Sequence, residues 1–173
     1  MSTIFDYLKE VTDDSIYDRP FKELDVLALT ELTYLPFGHI VPQGDTTGIQ
    51  VRLSDAMELI DRTTDFIVSN QHLQLVDELA TSKRFKNIKL LNYVDEYDPD
   101  VQKQFAAMTY RLSLDTYLVV FRGTDDTLIG WKEDFHMTYM DHVPAQKRAA
   151  SYLQHVMKEF PKGRFLVAGH SKG

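Results

Sequence analysis

The chain closes on Phe165-Leu166-Val167-Ala168-Gly169-His170-Ser171-Lys172-Gly173, in which four apolar residues lead into a G-x-S-x-G pentapeptide. This combination is typical of a nucleophile elbow, the tight strand-to-helix turn that presents a reactive serine. Glycines two positions before and after the serine relieve crowding in that turn. The sequence therefore predicts a strand over 164–168 and a nucleophilic Ser171, and the alternative is a strand that ends in an ordinary glycine-rich turn.

A second strand-and-turn motif lies upstream, where Tyr117-Leu118-Val119-Val120-Phe121 is followed by Arg122-Gly123-Thr124. A β-branched and aromatic run without internal charge is typical of a strand buried on both faces. In acyl-transfer enzymes, one oxyanion-hole donor comes from a loop of this kind and the other is the N–H of the residue after the nucleophile. The expected donors are Thr124 and the backbone of Lys172, although a core strand with a polar turn would show the same pattern.

Together these segments resemble the class 3 lipase group of the α/β-hydrolase superfamily and, within that superfamily, a bacterial lipase-like domain family of unknown function. The resemblance rests on Phe121-Arg122-Gly123-Thr124-Asp125-Asp126, Gly130-Trp131-Lys132-Glu133-Asp134-Phe135 and the final pentapeptide, and it is strongest from about residue 105 onwards. It implies a serine esterase or lipase-like hydrolase that works through an acyl-enzyme. Ser171 would be the nucleophile and Thr124 the oxyanion-hole residue. Lys172 departs from the pattern of typical lipases, which have an apolar residue or glutamine there.

The triad cannot be completed from this chain, which is expected to be truncated at the elbow. In α/β-hydrolases the acid and then the histidine follow the serine, whereas all six histidines here precede Ser171. Triads are defined by geometry rather than order, so one of the six could still lie beside the serine, but a solvated or packing role is the simpler interpretation for each. The alternative function is a catalytically inactive binding or interaction module of the same fold. The histidines are His39, His72, His136, His142, His155 and His170.

Arg122 and Asp134 carry a separate prediction, an ion pair that supports the oxyanion loop. A planar guanidinium suits a bidentate bond to a carboxylate, and the chain would have to fold back after Trp131 to bring the two together. The alternative is that both side chains are solvated, in which case a pair contributes only about 0–1 kcal/mol.

Composition agrees with a cytoplasmic protein, and the resemblance implies a small-molecule or lipid ester as the substrate. The 173 residues suffice for one core, there is no cysteine for a disulfide framework, and the formal net charge of −7 disfavours nucleic acid. No apolar run approaches the ~18 residues of a membrane span, and the N-terminus does not resemble a secretory signal. We expect no cofactor and no metal, because the acidic stretch 95–100 lacks the glycine and glutamate of a calcium loop. A homodimer could cover the strand edge exposed at the elbow.

The expected fold class is α/β: the N-terminal part of an α/β-hydrolase core, with a mostly parallel sheet and flanking helices, preceded by a helical segment. Residues 1–92 are expected to be mainly helical and to form a cap or simple packing, residues 93–173 to form the core, and the two to make one structural unit. Within the core we expect a short strand at 88–93, a helix beginning at Asp98-Pro99, a hairpin joining 106–112 to 116–122, and a helix from Pro144. In the helical segment, the apolar face of the second helix is predicted to consist of Leu24, Leu27, Ala28, Leu32 and Leu35.

Overall fold

A five-stranded mixed sheet with the order β1-β2-β3-β4-β5 forms the framework of the molecule. The computed structural model describes residues 2–63, 69–100, 103–123 and 144–170. The strands are β1 (Val51–Arg52), β2 (Lys89–Asp98), β3 (Lys103–Arg111), β4 (Thr116–Arg122) and β5 (Arg164–Gly169). The described helices are α1 (Ile4–Val11), α2 (Glu23–Leu32), α3 (Leu53–Leu59), α4 (Asn70–Thr81) and α5 (Pro144–Glu159). The predicted α/β class is therefore confirmed.

The expected mostly parallel sheet is wrong for the described strands. β1–β2, β2–β3 and β3–β4 pair antiparallel, and β4–β5 is the one parallel pair among them. For β2–β3 and β3–β4 the reason is the length of the connection, because a short link such as 112–115 can join only antiparallel neighbours, whereas a parallel pair needs a crossover of a dozen or more residues. The segment between β4 and β5, which contains α5, is long enough for that crossover.

The helix expected at Asp98-Pro99 is also wrong. Asp98 is the last residue of β2 and pairs with Lys103 at the start of β3, so the two strands form a hairpin. An Asp-Pro pair is as typical of a turn as of a helix start. Here the turn forms, because β3 pairs with β2 up to Asp98. β2 also runs through residue 92, where we expected the helical segment to end. The predicted hairpin between β3 and β4, the helix from Pro144 and the strand from Arg164 are confirmed.

Side chains of the sheet alternate between two apolar layers, as the pleat requires. One face carries Leu90, Met108, Tyr110, Leu118 and Val120, which pack in one core with α1 to α4. The other face carries Val94, Phe105, Ala107 and Val119, which pack against Tyr152 and Val156 of α5. Residues on both sides of position 92 contribute to the first core, and β4 is covered on both faces.

The buried stripe of α2 differs from the predicted one. Leu24 and Leu27 are 43% and 42% exposed, whereas Ala28, Leu29 and Leu32 are buried. The helix is rotated because Asp25 lies on the same buried face, where both oxygens of its carboxylate accept bonds from Arg84 at 2.8 and 2.7 Å. A buried aspartate cannot be anticipated from apolar periodicity, because the pattern counts it as a surface position.

At the edge of the described sheet, β5 pairs with β4 on one side only. Leu166 and Val167 of this strand are 44% and 55% exposed. The homodimer that the sequence suggests would cover such an edge, and it stays a prediction.

A charged cluster fixes α5 to the rest of the fold. Arg148 binds Asp45 through both terminal guanidinium nitrogens and donates from Nε to Glu96 at 2.9 Å. His155 lies 2.5 Å from Asp45 through Nδ1. Burial by itself would raise the pKa of Asp45, but hydrogen bonds from Arg148 and His155 together outweigh it and hold the pKa below its ordinary value of 3.8. Glu96, in the acidic stretch 95–100, is also bound by Lys103.

The lowered pKa of Asp45 predicts a loss of stability in acid. A carboxylate with a folded-state pKa below its unfolded value stabilises the protein above pH 3.8 and loses that contribution as the pH falls through the folded-state pKa. We expect Asp45→Asn to cost about 2 kcal/mol near neutral pH and to make the decline in acid shallower. Urea unfolding at a series of pH values measures both effects, and the exposed Asp13→Asn is the control. An Asp45→Asn curve parallel to that of the wild type would contradict the assignment.

Candidate functional site

The site lies at the carboxyl ends of β4 and β5. The two parallel strands are in register, with Phe121 opposite Gly169, so they end at the same edge of the sheet. Gly123 and His170 each stand just beyond the paired stretch, and the backbone N–H of His170 donates to the carbonyl oxygen of Phe121 at 3.4 Å. In the chain, Thr124 directly follows Gly123 and Ser171 directly follows His170. The carboxyl edge of parallel strands is where open α/β sheets bind their ligands.

Most of the residues that the sequence singles out lie outside the described residues. These are Thr124, Asp134, Ser171 and Lys172, so neither the proposed oxyanion hole nor the nucleophile is located directly. Their neighbours Gly123 and His170 are described, and the parallel register brings these two together.

Tyr34 connects the two strand ends. It follows α2 in the helical segment, and its hydroxyl accepts a hydrogen bond from the backbone N–H of Gly123 at 3.2 Å. The same hydroxyl lies 2.7 Å from Nδ1 of His170, and the two rings meet edge to face with their centroids 5.6 Å apart. One side chain from the N-terminal segment therefore contacts both ends of the candidate site.

The hydroxyl of Tyr34 stays protonated at neutral pH. Burial is the largest cause that raises its pKa, and the negative charge of Glu31 adds to the effect. The hydrogen bond from Gly123 acts in the opposite direction but is outweighed. A protonated phenol offers one hydrogen to donate and an oxygen that can accept.

Arg122 binds Asp95 in the described part of the chain. Its Nη2 lies 3.0 Å from Oδ1 of Asp95, and the arginine side chain is only 7% exposed. The strand register explains how Arg122 contacts a residue two strands away. Asp95 on β2 pairs with Ala106 on β3, and Ala106 pairs with Arg122 on β4. The small alanine between them leaves room for the arginine to cross β3. Asp134, the partner expected from the sequence, lies outside the described residues, so that pair stays a prediction.

Tyr93 extends this ion pair. Its hydroxyl donates to Oδ2 of Asp95 at 3.3 Å. Burial, followed by the charge of Asp95, raises the pKa of Tyr93 to about 12. The last residue of β4 is thus held by a chain of polar contacts that begins on β2, in which Arg122 and Tyr93 are buried and the Asp95 side chain is 39% exposed.

Of the four described histidines, His39 is exposed and the other three each have a polar partner. His170 contacts Tyr34, His72 lies 2.9 Å from the hydroxyl of Ser69 and 3.7 Å from the carboxylate of Glu31, and His155 contacts Asp45. His136 and His142 lie outside the described residues. Within the described ranges, no group of three histidine, cysteine, aspartate or glutamate side chains is arranged to hold a metal ion. None of the described helices combines the length and apolar character needed to cross a membrane.

Sequence reasoning missed Tyr34. Its partners are 89 and 136 positions away in the chain, and no local motif surrounds it. The only sequence signal is its place at the end of a predicted helix, which says nothing about what the ring contacts.

Comparison with known proteins assigns the chain to a family. No curated protein and no solved structure matches the chain. A family model described as Mbeg1-like matches residues 79–173, which include the strands β2 to β5 and both motifs at the candidate site. Because this match spans more than half of the chain, the protein belongs to the Mbeg1-like family.

Proposed function

We propose that the protein is a serine hydrolase of the α/β-hydrolase type that cleaves an ester through an acyl-enzyme on Ser171. The observation that carries this proposal is the parallel pairing of β4 with β5, which brings Gly123 and His170 to one edge of the sheet. Those residues immediately precede Thr124 and Ser171 in the chain, which supports the proposal that the two motifs resembling class 3 lipases form one site. The G-x-S-x-G pentapeptide and the preceding strand add the expected local context.

In the proposed reaction, Oγ of Ser171 attacks the ester carbonyl and its proton passes to a general base. The backbone N–H groups of Thr124 and Lys172 donate hydrogen bonds to the oxyanion that forms. Stabilisation of this charge supplies a large part of the rate enhancement in such enzymes. The general base then gives this proton to the leaving oxygen as the carbon–oxygen bond to the alcohol breaks. Water then attacks the acyl-enzyme, releases the acid and restores the serine hydroxyl. We assign no residue of this chain as the base.

The finer fold assignment belongs to the same proposal. We propose that β4, α5 and β5 are the N-terminal part of an α/β-hydrolase core, and that the segment containing α1 to α4 is a cap beside it. The contact from Tyr34 to Gly123 and His170 supports the second point, because it shows that this segment reaches the candidate site. Small-molecule esters, lipid esters and thioesters all fit the proposed chemistry, and acyl transfer to an acceptor other than water is a close variant.

A fluorophosphonate probe tests the proposal. The full-length protein, expressed from its natural gene, is incubated with the probe, digested and analysed by mass spectrometry. An activated serine displaces fluoride and forms a stable oxygen–phosphorus bond, so we expect an adduct on Ser171. Folded protein without an adduct on this residue would contradict the proposal and favour an inactive module of the same fold. Heat-denatured protein is the control for nonspecific reaction.

A further inference from the structure

We infer that Tyr34 is the positioning residue of this site: its hydroxyl joins Gly123 to His170 and so sets the spacing between the oxyanion loop and the nucleophile. This inference rests on the proposed function, because it acts through Thr124 and Ser171.

The hydrogen-bond capacity of the tyrosine hydroxyl matches its two neighbours. The oxygen accepts from the N–H of Gly123, which leaves the single hydroxyl hydrogen for Nδ1 of His170. We assign the tautomer of His170 from this network: Nδ1 accepts, and the ring hydrogen is on Nε2. With this assignment the hydroxyl uses both its donor and one of its acceptor positions, and it joins the ends of β4 and β5 beside the backbone bond from His170 to Phe121.

The bridge holds the Arg122–Gly123 peptide, where the backbone leaves β4. Gly123 is buried and lacks a side chain, and glycine has more conformational freedom than any other residue. Only the φ and ψ angles of Gly123 separate its own N–H from the peptide plane that carries the N–H of Thr124. The bond to Tyr34 therefore fixes the peptide next to the proposed oxyanion donor. On the other strand, the residue held by the bridge is the one before Ser171.

Tyr34 is itself held by a rigid support. Its two chain neighbours, Thr33 and Leu35, are fully buried. The hydroxyl of Thr33 donates to the carbonyl oxygen of Leu29 at 2.8 Å and lies 2.8 Å from the hydroxyl of Tyr110 on β3. A side chain that orients a site works best when its own position is fixed by packing and hydrogen bonds. The turn after α2 meets this condition.

The test removes the hydroxyl and keeps the ring. In Tyr34→Phe of the full-length protein, we expect the rate of fluorophosphonate labelling at Ser171, and kcat on an ester, to fall by about 10–100-fold, because small displacements at a reacting centre carry penalties of this order. KM should change little, since the hydroxyl is used within the protein. The matched control is Tyr17→Phe, which removes a hydroxyl from a side chain that is 78% exposed and should leave the rate unchanged.

Two readouts that do not depend on activity accompany the rate. Loss of the hydroxyl should speed hydrogen exchange at the amide of Gly123 and should mix the two tautomers of His170, as seen in the 15N shifts of its ring. If the wild type is labelled at Ser171 and Tyr34→Phe is labelled at the same rate, the role of Tyr34 is overturned and the proposed function is not. A slower variant with unchanged exchange at Gly123 would also overturn positioning. A wild type that does not label at Ser171 would overturn the proposed function and this role with it.

Discussion

Replacing Arg84 with methionine is expected to lower the free energy of unfolding by about 3–5 kcal/mol, the usual cost of breaking a buried ion pair by removing one partner. Arg84 and Asp25 have fully buried side chains and form two hydrogen bonds, at 2.8 and 2.7 Å. The guanidinium also donates to the carbonyl oxygens of Arg19 and Pro20 at 2.7 and 3.0 Å. The variant would leave a buried carboxylate without its partner and these carbonyls without their donor.

Urea unfolding measures this effect, and the chain offers a matched control. Arg52→Met removes an arginine whose pair with Asp55 is exposed on both sides, so it should cost less than about 1 kcal/mol. The double variant Arg84→Met with Asp25→Leu should be more stable than Arg84→Met alone, because no uncompensated charge stays buried. Equal losses for Arg84→Met and Arg52→Met would contradict the assignment of Arg84 as a structural anchor.

If the proposed mechanism holds, Ser171→Ala is expected to lower ester turnover in the full-length protein by about 10⁶-fold, the loss seen when a serine hydrolase loses its nucleophile. The whole covalent route depends on this one oxygen, whereas oxyanion donors and binding alone retain only a residual rate. Initial-rate kinetics on a chromogenic ester measures the loss.

The matched control for this variant is Ser151→Ala, on the partly buried side of α5, which should keep wild-type turnover. If Ser171→Ala retained turnover within about tenfold of the wild type, a covalent mechanism on this residue would be excluded. Circular dichroism on both variants separates a catalytic loss from a folding defect.

Local sequence patterns predict the part of the fold that forms from apolar runs with clear ends. Composition and turn residues predict the strands β4 and β5, the short turn between β3 and β4, and the start of α5 at Pro144. The hairpin between β2 and β3 does not, because Asp98-Pro99 suits a helix start as well as a turn. The pairing with β3 decided the outcome, and pairing partners cannot be read from a local window.

The supports of the candidate site are harder to predict, because they depend on contacts between distant positions. Asp95 meets Arg122 only because Ala106 stands between them in the sheet register. Asp25 is buried only because Arg84, 59 positions away, neutralises it. Tyr34 has no motif at all. Sequence motifs indicate the chemistry proposed at Thr124 and Ser171. The tertiary fold is needed to identify Tyr34, which contacts the adjacent residues Gly123 and His170.

A crystal structure of the full-length protein with a phosphonate bound to Ser171 would test the central claim most directly. The phosphonyl oxygen stands in for the oxyanion of the proposed acyl transfer. We predict that it lies about 2.7–3.1 Å from the backbone nitrogens of Thr124 and Lys172, the distance expected for an oxyanion hole. An adduct on another residue, or a phosphonyl oxygen that faces solvent away from both nitrogens, would contradict the proposal that these two motifs form one active site.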